Sequence, residues 1–147
     1  MTTNSDSSSA ETSFGTIDLK AETHVLAPGR YTATVSEVRL VKNREGNTLW
    51  LFVALDVHDA DGVVMGQVED KFLTIAAREG SQYLGRVREG LKKLALYGAA
   101  AGVDLNDTEP EDIAGKLIGH RIVAVIGRYG AGVRAENRIA GIMRDAE

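Results

Sequence analysis

Apolar residues alternate without a break along Thr48 to Val57, where Leu49, Leu51, Val53, Leu55 and Val57 share one phase. A period of two is the mark of a half-buried strand, so these five side chains are expected in the core. The opposite phase carries Trp50, Phe52, Ala54 and Asp56. Upstream, Tyr31 to Val41 reads as another strand, but its apolar phase changes. Tyr31, Ala33 and Val35 lie on one phase, and Val38 and Leu40 on the other. Such a slip inside one long strand predicts a bulge or sharp bend, which a small barrel needs if one strand is to serve both halves of its sheet. Turn signals separate these strands: Ala27 to Arg30 before the first, Asn43 to Asn47 between the two, and Asp59 to Gly62 after the second. Val63 to Ile75 reads as a third strand, with Gly66 as a bulge candidate.

The period then changes. Leu84, Val87, Leu91 and Leu94 recur at three- and four-residue spacing, predicting an amphipathic helix over Ser81 to Tyr97 with Gly98 and Gly102 as stop signals. An acidic loop follows over 103–112, then a short helical turn at Ile113 to Gly115. The β-branched stretch Leu117 to Arg128 reads as a fourth strand, Tyr129 to Gly132 as a glycine hairpin, and Arg134 to Met143 as a fifth strand. Three meander strands, a helix and a closing hairpin make the expected fold mainly β. That order fits a five-stranded Greek-key barrel of OB type, with its helix between strands 3 and 4.

Composition changes this picture at three points. Residues 1–13 are rich in Ser, Thr and Asn and poor in large apolar groups, so they are expected to be disordered; Phe14, Ile17 and Leu19 could dock as an arm. The reading is therefore an N-terminal segment over 1–24 and one domain over 25–147. Residues 1–13 have neither a basic start nor an apolar run, so no secretory leader is expected, and no apolar stretch is long enough to span a bilayer. The formal charge of −4 is uneven: four acids and one base give −3 over 1–24, leaving −1 on the remainder, so any basic surface must be local. With no cysteine, disulfides, thiolate metal sites and a cysteine nucleophile are excluded.

Catalytic signatures are lacking. The three histidines are isolated in sequence, and neither a phosphate-binding glycine loop ending in Gly-Lys-Ser/Thr nor a nucleophile elbow occurs. Asp56, His58, Asp59 and Asp61 could offer oxygen ligands to a hard cation, but their spacing matches no EF-hand loop, and a solvated acidic turn explains them. No enzyme activity, cofactor or metal is expected. Trp50 and Phe52 are the informative pair. On a one-layer barrel they would face outward, where unpaired bases could stack on them; an arm or a second subunit covering them is the structural alternative. Arg39, Lys42 and Arg44 surround the first hairpin. Arg128, Arg134 and Arg138 flank the last, with Tyr129 at its tip and Arg134 and Arg138 on one phase. Lys71 on the third strand joins them as a candidate nucleic-acid contact. OB folds use the first-to-second and fourth-to-fifth loops on oligonucleotides. The helix charges Arg86, Arg88, Lys92 and Lys93 read as a plain solvent face.

Leu26-Ala27-Pro28-Gly29-Arg30-Tyr31 with Val35, and Gly46-Asn47-x-Leu49-x-Leu51 after a basic turn, resemble phage and prophage single-stranded DNA-binding proteins of OB type. Leu91-x-x-Leu94 with Gly102-Val103, Ile118-Gly119-His120-Arg121, and Glu136-Asn137-Arg138-Ile139 extend the likeness over about residues 26–143. The resemblance implies a protein that coats single strands in phage replication or recombination inside the bacterial cytoplasm. Single-stranded DNA, replication or recombination proteins and further copies of the chain would be its partners. It departs from the bacterial single-strand binders in ending Met143-Arg144-Asp145-Ala146-Glu147 rather than in an acidic recruiting tail. The competing expectation is a non-catalytic adaptor barrel that uses the same aromatic face to bind protein or to self-associate.

Overall fold

A computed structural model describes residues 25–44, 48–76 and 84–145. The expected disorder or arm over 1–24, the tip of the first turn at 45–47 and the helix start at 81–83 lie outside the described residues. The elements run β1 (Gly29–Lys42), β2 (Thr48–His58), β3 (Val64–Ala76), α1 (Leu84–Ala101), α2 (Ile113–Leu117), β4 (Arg121–Tyr129) and β5 (Glu136–Arg144). The strands form one antiparallel sheet in the order β3-β2-β1-β4-β5. The edge strands β3 and β5 approach each other, but no ladder joins them among the described residues.

The alternation along β2 is realised: Leu49, Leu51, Val53, Leu55 and Val57 are all buried. The phase change in β1 is a bulge. Val35 opposes Leu55, Glu37 opposes Ala54, and the skipped Ser36 donates its hydroxyl to the Ala54 carbonyl at 3.1 Å. Before the bulge β1 is shared between β2 and β4, while after it β1 pairs with β2 alone. Val35 also exchanges backbone bonds with Gly119 and His120 (2.8 and 3.0 Å), which ties the approach to β4 to the bend. A second bulge beside Gly66 leaves room that Leu26 fills, its side chain 3.8 Å from the Gly66 Cβ position. The main chain of Leu26 is held in turn by Asn137 of β5, which accepts from its N–H at 2.8 Å and donates to its carbonyl at 3.0 Å.

Four expectations require correction. Leu117 does not begin β4; it is fully buried at the end of α2, together with Ile113 one turn earlier, and Gly119 in the left-handed region (φ 92°) redirects the chain into the strand. Gly98 lies inside α1 rather than stopping it. The stop is Gly102 (φ 75°), where the Val103 N–H bonds the Gly98 carbonyl and the Gly102 N–H bonds that of Ala99, the paired bonds of a Schellman end. Arg134 belongs to a 3₁₀ turn (Gly132–Arg134) and not to β5. The helix stripe holds only in part: Leu94 packs against the core, but Leu91 is 50% exposed, and Gly90, Tyr97 and Ala100 are buried positions. A Cβ at Gly90 would fall on the Leu73 carbonyl oxygen, so α1 lies with its backbone directly against β3.

That contact is fixed by Asp70, 7% exposed on the core side of β3. Its carboxylate accepts from the Tyr97 hydroxyl (2.9 Å), the Lys93 ammonium (2.7 Å) and the Lys71 N–H (2.9 Å). Burial, then the negative Asp70, then the hydrogen bond to it hold the Tyr97 hydroxyl far above its ordinary range. Below about pH 10 Tyr97 is protonated folded or unfolded. Above that only the unfolded chain loses this proton, so stability falls as pH rises. Tyr97→Phe is expected to cost about 1–3 kcal/mol in neutral urea denaturation and to flatten the alkaline limb of stability. Gly90→Ala, although alanine is the better helix former, is expected to lose about 1–3 kcal/mol by the same measurement, because the helix must lift from the strand. Unchanged stability of either variant contradicts this docking.

Candidate nucleic-acid interface

Residues opposite one another in an antiparallel ladder share a face, and two rows of the sheet define the site. Arg39, Phe52 and Lys71 stand in register across β1, β2 and β3, and Val41, Trp50 and Leu73 form the next row. Both rows lie on the face opposite Leu49, Leu51 and Val53. Trp50 and Phe52 are half-buried there, outside the core.

What covers them is cationic. The Arg39 guanidinium lies 4.7 Å from the Phe52 ring centroid, and the Lys71 ammonium lies 4.8 Å from that of Trp50 and 5.3 Å from that of Phe52. Such contacts contribute about 0.5–1 kcal/mol at exposed sites. Arg39 is further steadied by Glu69 (2.8 Å) and Glu37 (3.4 Å), exposed pairs that stabilise little.

The other basic residues of the first hairpin are placed differently. Lys42 opposes Leu49 and so has the phase of the core rather than that of Trp50; it is exposed at the strand end. Arg44 is exposed in the turn. At the last hairpin, Arg138 opposes Gly127 and lies 4.9 Å from the Tyr129 ring while bonding Glu136 at 2.7 Å. Arg128 opposes Asn137 on the other phase, and Arg134, exposed in its 3₁₀ turn, does not share a strand face with Arg138.

Two residues that the sequence reads as a plain helix solvent face, Arg86 and Lys93, lie beside this surface. A cleft beside Trp50 has Lys71, Arg86 and Lys93 on its walls, and a groove between β3 and β5 has Lys71, Lys93 and Arg138 on its own. Lys71 and Lys93 are common to both. The groove is mixed in sign, since Glu69, Asp70 and Glu136 also line it. Nothing in the local pattern marks Lys93, because its partner Asp70 is 23 residues away on another element.

Around Asp59 the geometry is that of a turn. Its carboxylate accepts from the N–H groups of Asp61 and Val63, both at 2.9 Å, while His58 bonds Thr34 and the Gly62 carbonyl. Among the described residues no three His, Asp or Glu side chains converge on a metal-sized site. No described helix is long and apolar enough to cross a membrane.

Models of known protein families do not match the chain, and comparison with curated proteins returns no match. Trp50 is the single tryptophan, so its fluorescence reports this site alone. Lys71→Ala is expected to raise acrylamide quenching of Trp50 with less than about 1 kcal/mol lost in stability. Equal quenching in variant and parent means that Lys71 does not cover the ring.

Proposed function

We propose that the protein binds single-stranded DNA with little sequence preference, stacking bases on Trp50 and Phe52 while Arg39, Lys71 and Arg138 turn from ring faces to phosphates. The observation that carries this reading is the pair of neighbouring aromatics on the face of β2 opposite the core, with two cations lying against their rings. A half-buried aromatic face outside the core has no use in core packing, whereas every base presents a π-face. A cation lying on a ring is a cover that a phosphodiester can draw off, because the charge gains an anionic partner as the ring gains a base.

In this reading the sheet is an OB-type five-stranded barrel whose seam lies between β3 and β5. The strand order, the bulges that bend β1, β3 and β5, and the position of α1 between β3 and β4 support it. The resemblance to phage single-strand binders points to coating of single strands during phage replication or recombination.

Titrating oligo-dT at low salt should quench Trp50, and log K against log salt should fall with a slope of about −0.7 per phosphate contact. Trp50→Ala and Phe52→Ala, read by anisotropy of a labelled oligonucleotide, should each weaken binding by about 1–3 kcal/mol without loss of fold. Absence of binding by the parent protein at low salt rejects the proposal.

A further inference from the structure

We propose that the cleft between Trp50 and α1 receives one nucleotide of the bound strand, its base against Trp50 and its phosphate on Arg86 and Lys71. The helix then belongs to the DNA interface together with the sheet. The inference rests on the single-strand-binding reading and adds a site to it.

The cleft has a volume of about 450 Å³. Its walls include Trp50, whose half-buried ring lies outside the core and is the aromatic face that a base could use. Lys71 stands over the Trp50 ring on one side. On the helix side Arg86 is exposed and forms no ion pair among the described residues, while Lys93 is held by Asp70. The acid on the wall, Glu89, faces the exposed Lys92 at 3.5 Å. With Lys93 paired to Asp70 and Glu89 facing Lys92, Lys71 and Arg86 are the cations that the cleft offers to a phosphate.

Gly85 makes the cleft more than a gap in packing. Glycine weakens a helix, and structure usually explains it by a left-handed backbone or a close approach. Gly90 has such a reason in the Leu73 carbonyl, but Gly85 has neither. Its φ is not in the left-handed region, and a Cβ there would meet nothing within 4 Å. Gly85 lines the cleft and its Cβ position is open, so this stretch of wall carries no side chain.

Gly85→Leu fills that open position and improves the helix, so a loss of binding cannot be blamed on unfolding. Oligo-dT affinity is expected to fall about tenfold or more, as for the loss of one stacked base, with no drop in Tm. Arg86→Glu should weaken binding and lower the salt slope by about 0.7, the value of one phosphate contact. Arg88→Glu, two positions along the helix and off the cleft, should leave that slope in place. Free dTMP should compete only at concentrations far above those of the oligonucleotide. If Gly85→Leu and Arg86→Glu bind like the parent while Trp50→Ala does not, the cleft is not part of the interface and the sheet reading stands. Competition by dTMP as strong as by oligo-dT makes the cleft a mononucleotide site and overturns the inference. Failure of the parent protein to bind any oligonucleotide removes the reading and the inference together.

Discussion

The buried carboxylate of Asp70 is the constraint on which the arrangement around the seam depends. A sheet whose edge strands meet without a ladder leaves β3 with an unpaired side, and an uncovered edge invites association. Here α1 lies along β3, and Asp70 fixes it there through Tyr97 and Lys93. A buried charge is costly unless it is paired and hydrogen-bonded. Asp70 meets that condition with one ammonium, one hydroxyl and one backbone N–H, all at 2.9 Å or less. Specificity of docking follows, because a helix rotated or shifted by one turn would take away Tyr97 and Lys93 and leave the carboxylate with the Lys71 N–H alone. Gly90 sharpens the same requirement, since only the face without a Cβ can lie on the Leu73 carbonyl.

The clasp also sets the surface chemistry. Because Lys93 is spent on Asp70, its charge is held at the junction of the cleft and the groove rather than in bulk solvent. Arg39, Lys71 and Arg138 repeat one theme, a cation resting on an aromatic ring beside an acidic neighbour or partner. Each contact is weak alone. In the proposed single-strand binding, that weakness lets each cation leave its ring when a base takes its place.

Much of the fold was legible in the sequence where one face is buried and the other wet. The β2 alternation and the β1 phase slip translate directly into Leu51, Val53 and the Ser36 bulge, since period two leaves no freedom about which side chains turn inward. The helix was legible as an element, but its contact face only in part, through Leu94. Leu91 dominates a hydropathy count, whereas the true contact runs through Gly90, which carries no apolar signal, and Tyr97, whose reason lies on β3. Leu117 reads as the start of β4 because buried helix residues and buried strand residues look alike over two positions. The strand phase that spacing assigns to Arg134 is not kept by a 3₁₀ turn. In the candidate site, Trp50, Phe52, Arg39 and Lys71 could be placed from register alone. Lys93 and Arg86 needed the tertiary crossing of α1 over the β3 edge.

Charge distribution limits how such a surface can work. A strongly basic binder collects nucleic acid through its long-range field. This chain carries −3 on its first 24 residues and only −1 on the rest, so its overall field does not attract a polyanion. The proposed recognition of single strands is then short-range, made of ring faces and of cations whose reach is below a Debye length of about 8–10 Å. Bulges and glycines thereby acquire functional weight. The Ser36 bulge brings Arg39 into register with Phe52, and Gly90 brings the helix cations within reach of Trp50. A protein without a basic field depends on backbone irregularities to gather a few charges around its aromatic rings.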